Sequence, residues 1–266
     1  MDLRLTGKVA LITGGSRGIG KSIARQLAQE GVDVVLAART KERLDAAAAE
    51  IAGQTGRKVV GIVVNTGDDA SVTAMGEQAI AAMGRVDILV NNAAEPGGYA
   101  AVPALADVKG AFVDEEINIK VKGYIRCAQV VVPSMKANGW GRIVNISGLA
   151  ARTTGNIVGS LRNVAVSSLS KNLADELGPF GINVTCVHPG ATHTERTMPA
   201  VEERARRQNA APDELLKRMA ENNSIKHLVT ADEVAHVVTF LCSPLSIAIN
   251  GDTIAAGGGT PRAIYY

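Results

Sequence analysis

The chain reads as an α/β protein, a three-layer doubly wound parallel sheet in a single domain spanning residues 1–266. Three observations predict this. Short Val- and Ile-rich runs alternate with helical patterns from end to end. A Gly-rich turn, Thr13-Gly14-Gly15-Ser16-Arg17-Gly18-Ile19-Gly20, links the first run to the first helix. A length of 266 residues suits one such unit.

The strands are predicted at Lys8–Thr13, Val32–Ala37, Lys58–Val64, Val86–Val90, Arg142–Ser147, Ile182–Val187 and Asp252–Ala255. Their continuous apolar character suits strands covered on both faces. Helices are predicted at Gly18–Glu30, Lys41–Ala52, Asp69–Met83, Asp114–Ala137, Ile157–Leu177 and Ala231–Leu241. In the helix from Ile157, Val158, Leu161, Ala165, Leu169, Leu173 and Leu177 recur every three or four residues, and Gly178-Pro179 stops it. Alternation of this kind implies right-handed crossovers, with ligands bound beyond the carboxyl ends of the strands. About residues 191–230 the rhythm breaks. Charged residues surround Leu215, Leu216 and Met219, and a helical lid over the cleft is expected.

Composition excludes several classes. Lys and Arg number 28 against 26 Asp and Glu, so neither nucleic acid nor a membrane surface is an expected partner. Cys127, Cys186 and Cys242 form no paired motif and sit in apolar stretches, as buried small hydrophobes do. His188, His193, His227 and His236 lack metal-ligand spacing, so no metal is expected. No apolar run is long enough to span a bilayer and no leader pattern is visible, so the expected location is cytoplasmic.

The Gly-rich turn has a physical logic. Gly14 permits the tight turn, Gly18 lets the backbone approach phosphates, and Gly20 allows close packing. The helix that follows presents unpaired N–H groups and a positive dipole end. Its spacing is Gly-x3-Gly-x-Gly. The second strand ends in Ala37-Ala38-Arg39-Thr40, with no carboxylate to accept from ribose hydroxyls. Arg39 and Arg17 instead offer two guanidinium forks, which suit a 2′-phosphate. NADP(H) is therefore the expected cofactor.

Further motifs follow in order: Asn91-Asn92-Ala93-Ala94, Asn118, Asn145-Ile146-Ser147, Pro189-Gly190 and the closing Gly257-Gly258-Gly259. Together with the turn they resemble the short-chain dehydrogenase/reductase family, in its 3-oxoacyl-reductase-like branch. The resemblance runs from Gly7 to Gly259 and implies a Rossmann-like fold. It implies cofactor contacts from Gly14, Ser16, Arg17, Gly18, Ile19, Gly20 and Arg39. It places Asn65, Thr66 and Asn92 at the adenine and ribose end, and Pro189, Gly190, Thr192 and Thr194 at the nicotinamide. A small-molecule substrate is implied, as is a homodimer or homotetramer built through the helices Asp114–Ala137 and Ile157–Leu177.

Family reductases use a Ser, a Tyr and a Lys backed by an Asn. In this chain Leu169-Ser170-Lys171-Asn172-Leu173-Ala174 matches the family's mid-helix run. Counting back from Lys171 puts Gly159 at the Tyr position and Asn163 at the Lys position. The Ser position falls on Gly148, with neighbouring Ser147 a candidate replacement. Asn118 matches the family's Asn. No Tyr occurs between Tyr124 and Tyr265, so no small gap restores the phenol. Lys171 lies three turns too far along, and Lys120 and Lys122 belong to another helix. The missing ring is expected to leave a hole at Gly159, and Gly159→Tyr with Asn163→Lys to raise activity. His193 is the first candidate for a substitute acid, ahead of Tyr99. Two readings stay open: an oxidoreductase acting on a carbonyl or hydroxyl by a nonstandard proton path, and a catalytically silent cofactor-binding subunit paired with an active homologue.

Overall fold

The computed structural model describes residues 1–94 and 102–264. Seven strands form one wholly parallel sheet: β1 (Val9–Thr13), β2 (Asp33–Ala38), β3 (Val59–Val63), β4 (Ile88–Asn91), β5 (Gly141–Ile146), β6 (Ile182–Pro189) and β7 (Thr253–Ala256), in the order β3-β2-β1-β4-β5-β6-β7. Register is regular, with Leu11 opposite both Val35 and Leu89, and Val144 opposite both Val90 and Thr185. The chain winds outward from β1 in one direction to β3, then in the other from β4 to β7. The switch between β1 and β4 opens a crevice at their carboxyl ends, where such folds bind ligands.

Helices cover both faces. One layer packs α1 (Gly18–Gln29), α2 (Lys41–Thr55) and α9 (Ala231–Cys242) around Ile12, Ile23, Leu27, Leu36 and Val238. The other brings α3 (Asp69–Met83), α5 (Gly123–Asn138) and α6 (Ile157–Leu177) onto Leu11, Val35, Leu89 and Val184. Both faces of β1 are therefore buried, which is why its sequence is apolar without alternation. Among the described residues, no helix is long and apolar enough to cross a membrane.

One element differs from the sequence reading. The helix expected over Asp114–Ala137 is α4 (Gly110–Glu116), a wide π-helical stretch Ile117–Lys122, and then α5. A π turn carries an extra residue per turn and redirects the side chains within it. The segment after β6 holds α7 (Thr197–Gln208) and α8 (Pro212–Glu221), whose Val201, Ala205 and Leu215 make a small core of their own.

Candidate active site

The carboxyl ends of the strands enclose a cavity of about 680 Å3. Its first wall is the Gly-rich turn. Gly14 takes φ +66° and Gly18 φ +55°, conformations that favour glycine. Asn92 locks the turn from β4, its Nδ2 donating to Thr13 O at 3.1 Å, while the Thr13 hydroxyl accepts from the Asn92 and Ala93 N–H groups at 3.0 Å each. Gly20 lies behind the turn rather than on the cavity. A Cβ there would come within 2.4 Å of Gly14 O and 2.5 Å of Asn92 Nδ2.

Beyond Gly20, every residue assigned to the cofactor from the sequence lines the cavity: Gly14, Ser16, Arg17, Gly18, Ile19, Arg39, Asn65, Thr66, Asn92, Pro189, Gly190, Thr192 and Thr194. Arg43 and Arg196 join them, so Arg17, Arg39, Arg43 and Arg196 share one end. Their mutual repulsion is felt at Arg17. Burial, then Arg196 and Arg43, lower its pKa, with Glu195 pulling the other way. Cations gathered in this way form a site for a polyanion. The Glu195 carboxylate reaches the same end of the cavity wall. It accepts from the Gly18 N–H, at 3.0 Å through Oε1 and 3.2 Å through Oε2, at the N-terminus of α1. An anionic group is thus held at the helix N-terminus, where the unpaired N–H groups and the dipole favour one.

At the other end of the cavity lie Lys120, Ser147, Gly148, Asn156, Gly159 and Asn163. The π stretch turns Lys120 inward, where it is 4% exposed. Its Nζ donates to Asn163 Oδ1 and to Ser147 O, each at 2.9 Å. Burial pulls the Lys120 pKa down from 10.5 to about 8, against a smaller opposing effect of Cys186. The neighbouring titratable groups are neutral near pH 7. Burial holds the His188 imidazole at about 4, and burial raises the Cys186 thiol. On α6, Arg162 is paired with Glu116 of α4.

Several expectations change here. Asn118 does not line the cavity. Its Nδ2 donates to Gly67 O at 3.0 Å and its Oδ1 accepts from Arg126 Nη2 at 3.0 Å, so it braces the loop after β3. Ser147 does reach the cavity, but its hydroxyl donates to Asn163 O at 2.9 Å. His193 is exposed and lies outside the cavity lining, its backbone bridging to Val229 and Ala231. Tyr99 falls outside the described residues, and among those described no tyrosine lines the cavity. Tyr124 is buried on the far side, donating to Ile146 O at 2.8 Å, and burial raises its pKa well above 10. Lys171 points outward to Asp175.

The hole expected at Gly159 is filled. Gly159 is the third residue of α6, and its N–H donates to the capping side chain of Asn156 at 2.8 Å. A Cβ on Gly159 would sit 2.7 Å from Asn156 Nδ2. The glycine thus belongs to a capping turn, not to a mid-helix position that would be costly for it.

The comparisons agree with this architecture. Residues 8–205 match the model of the short chain dehydrogenase family. Dehydrogenase/reductase SDR family member 4 of Mus musculus is 34% identical over 98% of this chain and 89% of that protein. The chain belongs to the short-chain dehydrogenase family. A 3-oxoacyl-[acyl-carrier-protein] reductase of Aquifex aeolicus is 32% identical over 97% of this chain and 99% of its own length. Among solved structures, L-sorbose reductase from Gluconobacter frateurii, complexed with NADPH and L-sorbose, superimposes with a TM-score of 0.93 at 30% identity, covering 99% of this chain and 100% of the other.

For this short-chain dehydrogenase, sequence reasoning missed Arg43, Arg196, Asn156 and Lys120. Arg43 carried a signal, since it stands four residues after Arg39 in the first turn of α2. Asn156 carried one too, as an Asn just ahead of an apolar helical pattern. Lys120 sits between Ile119 and Val121, but only the π stretch tells which way it points.

Proposed function

We propose that this short-chain dehydrogenase binds NADP(H) and transfers hydride between it and the carbonyl or hydroxyl carbon of a small molecule, without a Tyr–Lys pair. The observation that carries the reading is the gathering of Arg17, Arg39, Arg43 and Arg196 beside an α1 N-terminus that already holds a carboxylate. The residues present fit the cofactor. The arginines suit its 2′-phosphate, the α1 N-terminus its pyrophosphate, and Pro189, Gly190, Thr192 and Thr194 its nicotinamide end. When bound, the cofactor supplies or accepts the hydride. The protein's part is to orient it, exclude water and move a proton at the substrate oxygen. That relatives include an NADPH-bound reductase supports the same reading. The α7–α8 segment, which contributes Met219 to the cavity wall, serves as its lid.

A second reading is favoured by one observation, that Gly148, Gly159 and Asn163, to which the resemblance assigns the family's Ser, Tyr and Lys positions, line the cavity. On that reading the chain binds cofactor and pairs with an active homologue. Titration with NADPH and NADH, followed by nicotinamide fluorescence, tests the cofactor; tighter NADH binding refutes the choice. Turnover of NADPH against a carbonyl panel, measured alone and mixed with a homologue, separates the two functions. Turnover by the protein alone supports hydride transfer, and turnover only in the mixture supports the silent subunit.

A further inference from the structure

We infer that Lys120 is the proton donor of this active site, delivered from the π stretch between α4 and α5 to a place that family reductases serve from α6. The inference rests on the oxidoreductase reading above and names the residue that completes it.

Position 163 is where the resemblance puts an ammonium, and this chain has Asn there. The structure restores the charge from another direction, with Lys120 Nζ 2.9 Å from Asn163 Oδ1. The second acceptor, Ser147 O at 2.9 Å, holds the ammonium against the end of β5. An ammonium has three N–H donors, and these two acceptors leave one more. Gly159 lies one helical turn before Asn163, on the same face of α6. Lys120 therefore flanks the place where a phenol would stand, and it lines the same cavity as Gly159 and Asn156. Among the described residues the other candidate acids are elsewhere: His193 is outside the cavity lining, and Tyr124 is buried with its hydroxyl donating to Ile146 O. Ser147 is a weak acid whose proton is already given to Asn163 O.

The step balances. As the carbonyl carbon gains a hydride, the C=O π pair passes to oxygen, and the oxygen takes a proton from Lys120 Nζ. The neutral amine left behind recovers a proton from water. In the reverse direction the amine accepts the alcohol proton. The Asn156 carboxamide, folded over Gly159, is placed to donate a hydrogen bond to the same oxygen.

The charged and titratable groups facing Lys120 do not compete. Burial raises the Cys186 thiol above its ordinary value and holds the His188 imidazole at about 4, so neither is charged near pH 7. Asn163 and Ser147 do not titrate, and Arg162 and Glu116 neutralise each other. With Lys120 at about 8, reduction is expected to fall tenfold per pH unit above that value, while oxidation of an alcohol rises up to it.

The test uses the full chain, NADPH and p-nitrobenzaldehyde as an activated carbonyl probe, at pH values on either side of about 8. Lys120→Met is expected to bind NADPH within a few-fold of wild type, to lose about 10²–10⁴-fold in kcat/KM, and to lose the break near pH 8. Lys120→Arg keeps the charge but cannot give up its proton, and is expected to show the same losses. Lysine labelled with 13C at Cε gives a readout free of turnover. One resonance, missing in both variants, is expected to titrate near 8 with NADP bound. Retention of the rate and its break in both variants overturns Lys120 alone, as does a midpoint above about 10. Wild type that binds NADPH and turns over no carbonyl overturns the oxidoreductase reading and Lys120's role together.

Discussion

Burying Lys120 has a thermodynamic consequence that needs no substrate. In the folded protein its pKa is about 8, and in the unfolded chain 10.5. Between those values the unfolded chain holds a proton that the folded protein has released. The unfolded state binds more protons there, so stability rises with pH. The gain is complete above about 10.5 and is lost as pH falls through about 8. The separation, 10.5 − 8, is about 2.5 units, or about 3 kcal/mol in full. Between pH 7 and pH 9, about 1 kcal/mol of it develops. Other buried groups act in the opposite sense. Burial raises Cys127 and Cys242 from 9.0 to about 12 and pushes Tyr124 up from 10.0, so their stabilisation is full below about pH 9 for the thiols and pH 10 for the phenol, and is lost as pH rises beyond those values. A single stability curve mixes these contributions, but Lys120→Met retains all of them except its own. Removing the ammonium also leaves Asn163 Oδ1 and Ser147 O without their donor, a cost of about 1–3 kcal/mol each that does not vary with pH. The quantity to read is therefore the difference in slope, not the offset. Urea denaturation of both proteins at several pH values measures it. Wild type is expected to gain about 1 kcal/mol on Lys120→Met from pH 7 to pH 9. Parallel curves would refute the claim that this ammonium is held against its ordinary pKa.

Three further outcomes are expected. Glu195→Ala removes the carboxylate from the Gly18 N–H and should tighten NADPH binding by about 2–5-fold in a fluorescence titration, since an exposed anion at a helix N-terminus is worth about 0.3–1 kcal/mol; unchanged affinity would mean the carboxylate does not compete. Gly159→Tyr with Asn163→Lys should fail to raise activity and should lower the melting temperature, because the ring displaces the Asn156 cap and the new ammonium meets Lys120; a rise of orders of magnitude would show that the pocket accepts both. Ile157, Leu161 and Val164 are exposed on one face of α6, so Leu161→Glu is expected to convert a dimer or tetramer into a monomer by sedimentation, and a monomeric wild type would end that reading.

Local chemistry in the chain already carried the architecture and the cofactor end of the site. Unbroken Val and Ile runs suit strands buried on both faces, as β1 and β4 are, although the edge strand β3 is only partly buried, and Gly14, Gly18 and Gly20 suit places where backbone meets backbone or phosphate. Arg39 was readable because it ends a strand, and strand ends have a known place in such a sheet. Counting along α6 likewise singled out Gly159 and Asn163, both of which line the cavity. The chemistry between them was decided only in three dimensions. Asn118 and Lys120 are two residues apart, and the π stretch turns Lys120 toward Asn163 and leaves Asn118 on Arg126. A periodicity argument assumes a regular turn, so it has no means of placing residues where the turn widens. The Asn156 side chain over Gly159 and the Glu195 carboxylate on α1 are contacts of the same kind. Each joins a side chain to a backbone group whose position depends on how the chain turns or how separate segments pack.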